Sequence, residues 1–150
     1  MNKVLFTLSF LLASVFSFNV IAQEVGATPK NGPVIEIDKE VHDYGTIEKG
    51  ADPYCYFTIT NTGNQPLVIS NCKGSCGCTT PECPKEPIAP GTSAKLKVKY
   101  DTQRVGPINK QVTITSNAVN SNNFTNGQGK TIIKIKGNIK PPASGSSTTN

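Results

Sequence analysis

The sequence predicts an all-β protein, an immunoglobulin-like antiparallel β-sandwich of about seven strands. Short segments in which apolar and polar residues alternate, the pattern of half-buried strands, recur along the chain between clusters of glycine, proline and asparagine. After residue 22, no segment of about ten residues shows the 3.6-residue apolar period of a helix. Many short strands separated by turns are typical of a β-sandwich.

The first 22 residues have the pattern of a secretory signal peptide. A short basic start, Met1-Asn2-Lys3, precedes an apolar run from Val4 to Phe18 and the small-residue cleavage site Val20-Ile21-Ala22. The run is shorter than the roughly 20 residues that a membrane-spanning helix needs. We therefore expect a mature chain that begins at Gln23 and has no stable membrane insertion after cleavage. It should be secreted, either to the periplasm or to the extracellular space.

The rest of the chain divides into three parts. Residues 23–33, rich in Gly, Pro, Thr and Asn, are predicted to be a linker, residues 34–140 the sandwich domain, and residues 141–150 a disordered tail rich in Ser and Thr. Without Lys3, 14 of the 15 basic side chains remain against 10 acidic ones, a net charge of +4. This modest charge predicts no nucleic-acid partner and leaves an envelope protein or a glycan as the expected partner.

Three strands are predicted in the first half of the domain. They cover Val34–Asp38, Tyr54–Thr60 and Leu67–Ser70, and the last one leads directly into a cysteine-rich segment. Between the first two, Gly45 and Gly50 are expected to turn the backbone. The side chains predicted to face the core are Ile35, Ile37, Tyr44, Ile47, Cys55, Phe57 and Ile59. The opposite face of the second strand carries Tyr54, Tyr56, Thr58 and Thr60.

Three more strands are predicted in the second half, over residues 94–100, 111–116 and 130–137. Their inward side chains are Leu96, Val98, Tyr100, Val112, Ile114, Ile133 and Ile135. The polar residues 117–129 are predicted to form a long surface loop. The outward lysines are Lys95, Lys97, Lys99, Lys134 and Lys136. These lysines could form a basic face for acidic glycan or lipid phosphate, but we favour a role in keeping strand edges from pairing with other chains.

The chemistry of the chain is concentrated in residues 71–84, which contain Cys72, Cys76, Cys78 and Cys83. Nearby glycines and prolines predict a tight loop in place of a helix or a long strand. In an oxidising compartment disulfides are the default state of cysteines. Cys72 has two possible partners: Cys55, at the same end of the sandwich, or Cys83, across a loop of about twelve residues.

The Cys76-Gly77-Cys78 pair has three interpretations. It could be a structural disulfide, a small and easily reduced ring that takes part in thiol exchange, or two thiolates that bind Cu(I) or Zn(II) together with Cys72 and Cys83. The spacing differs from the paired Cys-x2-Cys of structural zinc sites. We favour the structural interpretation and expect neither metal nor cofactor.

His42 is the only histidine of the chain, and the simplest interpretation is a surface or turn residue. A nucleophilic pair would need its imidazole beside Cys76 or Cys78, with Asp43 to orient it, and nothing in the sequence brings them together. His42, Cys76 and Cys78 are therefore candidates for binding. We expect no catalytic residue and no enzyme activity.

Several motifs occur in a fixed order along the domain: His42–Ile47, Phe57–Gly63, Pro66–Ile69, Ser75–Thr79 and Ile88–Gly91. Over residues 34–138 the chain resembles a family of secreted bacterial domains of unknown function with an immunoglobulin-like fold. That fold is similar to the sandwiches of pilus chaperones and major sperm protein. The resemblance implies a binding or scaffolding module.

Three cysteines depart from the pattern of that family. Cys76 and Cys78 match its Cys-Gly-Cys motif, but Cys55, Cys72 and Cys83 stand where other residues are expected, which suggests added covalent bracing. We therefore expect a secreted binding or scaffolding module of the bacterial envelope. The alternative is a periplasmic thiol-redox or soft-metal protein centred on Cys72, Cys76, Cys78 and Cys83.

Overall fold

A computed structural model describes residues 31–142, apart from the side chain of Phe124. The predicted signal peptide, the linker up to residue 30 and the tail from residue 143 lie outside the described residues. The chain forms nine strands: β1 (Ile35–Ile37), β2 (Val41–Glu48), β3 (Tyr54–Asn61), β4 (Ile69–Gly74), β5 (Thr79–Glu82), β6 (Ser93–Tyr100), β7 (Gly106–Ser116), β8 (Asn122–Thr125) and β9 (Gln128–Lys140). Over the part of the chain described here, no helix is long and apolar enough to cross a membrane.

The strands form two sheets, which confirms the predicted immunoglobulin-like sandwich. The four-stranded sheet has the order β1-β3-β6-β5, and the five-stranded sheet has the order β2-β9-β7-β4 with β8 paired to one end of β9. All pairings are antiparallel except β2 with β9, which is parallel. This exception departs from the purely antiparallel prediction.

Alternation places the apolar side chains of both sheets between them, as predicted. The side chains of Phe57, Ile59, Leu96, Val98, Val112, Ile114, Ile133 and Ile135 are at most 1% exposed. Full burial of an aliphatic or aromatic side chain of this size contributes about 1.5–3 kcal/mol to folding. The contact between the two sheets is therefore the main source of stability.

Two segments predicted to be irregular contain strands. Residues 42–50 were expected to turn at Gly45, but β2 continues through it with a bulge between Asp43 and Thr46, because the edge of β9 supplies a partner. In the predicted loop 117–129, β8 forms a hairpin with β9 through Asn126 and Gly127. Both turn residues have positive φ, the conformation that an Asn-Gly pair favours in two-residue hairpins.

The chain changes sheet on both sides of the sandwich. On one side β1 lies at the edge of the four-stranded sheet and β2 at the edge of the five-stranded sheet. On the other side β4 is the edge of the five-stranded sheet and β5 the edge of the four-stranded sheet. Each crossing therefore joins the two sheets by a short connection at their edges.

Asn61, at the end of β3, is fully buried. Its side-chain amide forms hydrogen bonds with backbone groups of three segments. Its Nδ2 donates to the carbonyl oxygens of Gln65 and Ile88, both at 2.8 Å. Its Oδ1 accepts from the amides of Gly63 at 3.0 Å and Val34 at 3.3 Å. One side chain thus joins the turn after β3 to the segments that precede β1 and β6.

Replacing Asn61 by Ala should lower the free energy of unfolding by about 3 kcal/mol or more, because buried backbone groups would lose their partners. Urea unfolding followed by circular dichroism measures the change. Asn109, exposed on β7, is the control, and Asn109→Ala should change stability by less than about 0.5 kcal/mol. Equal effects of the two substitutions would contradict the role assigned to Asn61.

Candidate functional site

The cysteine-rich segment is two short strands joined by a turn, not the single tight loop that was predicted. β4 pairs with β7 and β5 pairs with β6, so the turn Ser75–Cys78 carries the chain from one sheet to the other. The amide of Thr79 donates to the carbonyl oxygen of Cys76 at 3.1 Å and closes the turn. Gly74 is required at the crossing, since a Cβ there would overlap the carbonyl oxygen of Thr79.

Two disulfides fasten this crossing, and the prediction of disulfides is confirmed. Cys72 on β4 is bonded to Cys83, with 5.9 Å between the Cα atoms. Cys76 is bonded to Cys78, with 5.3 Å between the Cα atoms. The Cys72–Cys83 bond ties the chain directly after β5 to β4, whereas the Cys76–Cys78 bond closes a three-residue ring in the turn directly before β5.

Cys55 is a free thiol, so the alternative Cys55–Cys72 pairing does not occur. The thiol lies on β3, opposite Val98 of β6, in the interior of the four-stranded sheet. Cys72 lies on the edge strand of the other sheet. The alternation pattern identified the face on which Cys55 lies but not the order of the strands, which decides its neighbours.

The free thiol is held neutral. Burial raises the pKa of Cys55, and the hydroxyl of Tyr44 and the ammonium of Lys39 oppose this rise. The Tyr44 hydroxyl itself donates to the carbonyl oxygen of Pro53 at 3.0 Å, and burial raises the pKa of Tyr44 as well. Buried thiols in apolar surroundings are unreactive, because the nucleophile is the thiolate.

The two residues of the Cys76–Cys78 bond differ in exposure. Cys76 is partly exposed, whereas Cys78 is 7% exposed and packs in the core cluster. The hydroxyl of Thr79 lies 3.8 Å from both sulfur atoms. Among residues 31–142 no group of three or more His, Cys, Asp or Glu side chains is arranged to hold a metal ion.

His42 is not brought near Cys76 and Cys78. It lies on β2, and β9 and β7 separate this strand from β4, a distance of about 14 Å at the usual strand spacing. The imidazole instead packs edge-on against the ring of Tyr44, with 4.7 Å between centroids. Burial lowers the pKa of His42 from 6.5, the Lys39 charge lowers it further, and Asp43 opposes the change.

The outward lysines lie on two opposite faces. Lys97 and Lys99 lie on β6 between β3 and β5, and Lys134 and Lys136 lie on β9 between β7 and β2. The favoured interpretation, that outward lysines protect strand edges, is therefore wrong for these four. Lys95 lies on the part of β6 that pairs with β3 alone, where an edge lysine would be. Lys136 forms an ion pair with Asp43 of β2, with 3.2 Å between Nζ and Oδ2.

The outer face of the four-stranded sheet combines lysines with exposed aromatic rings. Cross-strand register aligns Tyr54, Lys99 and Thr80 in one row. It aligns Tyr56, Lys97 and Glu82 in the next row. We call these six side chains, together with Lys95, the tyrosine-lysine face. Alternation had placed both tyrosines outward, but the contribution of β5 depended on a strand order that the sequence does not reveal.

Lys97 is the centre of this face. Its Nζ lies 4.5 Å from the ring centroid of Tyr54 and 3.4 Å from Oε2 of Glu82. The Glu82 carboxylate raises the pKa of Lys97. Tyr54 and Tyr56 remain 37% and 49% exposed. Large aromatic side chains with this exposure are more typical of binding surfaces than of solvated sheets.

This architecture defines an immunoglobulin-like sandwich of the PapD type, and the comparisons identify the family. The chain belongs to the family described as proteins of unknown function (DUF1573), which matches residues 35–139. The predicted membership of an unknown-function family with this fold is therefore confirmed. No curated protein matches the chain.

Solved structures share the fold at low sequence identity. A protein of unknown function from Porphyromonas gingivalis W83 has a TM-score of 0.59 and 20% identity over 77% of this chain and 51% of its own. The ASH/PapD-like domain 7 of human CEP192 has a TM-score of 0.60 and 8% identity over 85% of this chain and 99% of its own. The E. coli chaperone DraB has a TM-score of 0.53 and 12% identity over 74% of this chain and 57% of its own. The chain thus spans about half the length of the Porphyromonas protein.

The two disulfides should contribute unequally to stability. Replacing Cys72 and Cys83 by Ala opens a loop of about twelve residues and should lower the free energy of unfolding by about 3 kcal/mol in the chain-entropy model. Replacing Cys76 and Cys78 by Ser opens a ring of three residues and should cost about 1.5 kcal/mol, with the fold retained. Urea unfolding without reductant compares both variants with the parent chain. Equal losses would contradict the loop-length argument.

His42 should make stability depend on pH near neutrality. Because the folded state lowers the pKa of His42 below 6.5, the unfolded chain takes up a proton first as the pH falls. The stabilising effect of the neutral imidazole is fully present above pH 6.5. It is lost as the pH falls towards the folded-state pKa of His42. The free energy of unfolding, measured in urea between about pH 7 and pH 5, should therefore decrease, and His42→Gln should reduce that slope. An unchanged slope in His42→Gln would exclude this origin.

Proposed function

We propose that the protein is a secreted binding or scaffolding module of the bacterial envelope and has no enzymatic activity. The observation that carries this proposal is the Cys72–Cys83 bond, which ties the end of β5 to β4, together with the Cys76–Cys78 ring in the turn that leads into β5. Bonds placed in this way brace an edge strand of the sandwich, and a braced surface favours binding because little ordering is needed when a partner docks. PapD-like chaperones with the same fold support a capacity to bind proteins.

Two features that are typical of exported proteins, disulfides and a signal-peptide pattern, support the same proposal. Disulfides form and persist in oxidising compartments such as the periplasm and the extracellular space. The two bonds are consistent with an extracytoplasmic protein, and the first 22 residues have the pattern of a secretory signal. We infer that the chain is exported before its disulfides form.

Thiol exchange at Cys76 and Cys78 is the second candidate, because Cys76 is a partly exposed residue. An external thiolate that attacked the sulfur of Cys76 would form a mixed disulfide and release the sulfur of Cys78 as a thiolate. The residue that carries this leaving sulfur, Cys78, is 7% exposed and packs in the core cluster, where burial disfavours the charged form. The geometry therefore favours a brace. A soft-metal site has less support, since the four cysteines that would form it are paired and a disulfide provides no thiolate ligand.

Thiol titration and metal analysis test the proposal on protein purified without reductant from its native compartment. We expect one thiol, that of Cys55, to react only after unfolding, and no stoichiometric copper or zinc. Two or more thiols that react in the folded protein would support thiol exchange instead. Stoichiometric copper or zinc would support the metal alternative.

A further inference from the structure

The tyrosine-lysine face has a shape suited to an extended ligand. A depression of about 280 Å³ is lined by Tyr54, Thr80, Pro81, Glu82, Lys97 and Lys99. A second depression, of about 270 Å³, shares Thr80 and Lys99 with the first and continues to Gly77, Cys78 and Asp101. The two depressions adjoin at Thr80 and Lys99, and together we call them the groove; Tyr56 and Lys95 lie on the same face outside its lining.

The face and its groove carry Lys95, Lys97 and Lys99 against the carboxylates of Glu82 and Asp101, an excess of one positive charge. Lys97 is neutralised by Glu82. Within the described part of the chain, Lys95 and Lys99 have no ion-pair partner within 4.0 Å, and both are exposed. They point outward from the same strand four residues apart, a separation of about 13 Å. Two unpaired ammonium groups at that distance are complementary to a linear ligand with repeated negative charges.

The strands of the face favour a sugar chain over a peptide. The backbone of β6 is paired with β3 over residues 93–99 and with β5 over residues 97–100, so it has no free edge beside Lys97 and Lys99. β5 is an edge, but Pro81 removes an amide donor from it, so a peptide strand would add poorly there. The exposed ring of Tyr56 can instead pack against the apolar face of a sugar ring. The hydroxyl of Thr80 and the carboxylate of Asp101 lie within the groove, where they can hydrogen-bond to sugar hydroxyls.

We propose that the tyrosine-lysine face binds an acidic, carboxylate-bearing polysaccharide. This inference rests on the proposed function as a binding module and names the class of partner. Lys95 and Lys99 pair with the carboxylates, and Tyr56 packs against a sugar ring. The Cys72–Cys83 bond holds the end of β5 in position as one wall of the groove, which reduces the ordering cost of binding.

Titration calorimetry with oligogalacturonate, a linear chain of uronates, tests the proposal on the purified protein. The fully methyl-esterified oligomer is the uncharged probe of the same shape, and it should bind at least about ten-fold more weakly. Lys99→Gln and Tyr56→Ala should each weaken binding of oligogalacturonate about ten-fold. Lys134→Gln is the matched control, because Lys134 is also exposed and unpaired among residues 31–142 but lies on the opposite face, and it should change affinity by less than about two-fold.

Circular dichroism and urea unfolding establish whether each variant is folded. If Tyr56→Ala is not folded, Tyr56→Leu takes its place, and if Lys99→Gln is not folded, Lys99→Met takes its place. Absence of binding by the parent chain would overturn the proposal. Equal weakening by Lys99→Gln and Lys134→Gln would also overturn it, since it would show unspecific attraction to a basic protein. Tighter binding of polyglutamate or of vesicles containing anionic lipid would exclude a glycan as the ligand. These results leave the thiol and metal analyses unaffected, so failure of the glycan inference is distinct from failure of the proposed function.

Discussion

The crossing of the chain between β4 and β5 is the constraint on which the rest of the structure depends. Gly74 and Thr79 approach so closely there that no side chain fits between them, and the Cys72–Cys83 bond holds the two strands together. Because each strand is the edge of a different sheet, this crossing fixes how the sheets meet on that side. The position of β5 beside β6, and with it the groove on the outer face, follows from the same crossing.

Much of the fold could be predicted, because alternation reports directly on which side chains are buried. The patterns at residues 54–60 and 94–100 identified both faces of β3 and β6, and the core lies where they indicated. The parallel pairing of β2 with β9 could not be predicted, since those strands are far apart in sequence and no local pattern reports on pairing. The β8–β9 hairpin left a local signal in Asn126-Gly127, which could have revealed it.

The candidate site was predictable in its chemistry and less so in its geometry. The number of cysteines and the signal-peptide pattern pointed to disulfides, because the compartment decides the redox state. The disulfide partner of Cys72 depended on the strand order, which the sequence does not reveal. Cys55 and Cys83 were therefore both candidates. The same missing information led to Lys97 and Lys99 being assigned to an edge, although β5 covers β6 over residues 97–100.

The position of the disulfides connects the scaffold to the exposed face. A four-residue edge strand with a proline in it has few backbone bonds to hold it, so β5 by itself would be among the least stable parts of the sheet. The Cys72–Cys83 bond anchors its end to β4, and the Cys76–Cys78 ring stiffens the turn that leads into it. They restrain the strand that carries Thr80 and Glu82, the side chains that complete the rows begun by Tyr54 and Tyr56. The two disulfides therefore lie beside β5. This strand completes the tyrosine-lysine face and has few other interactions to hold it in the sheet.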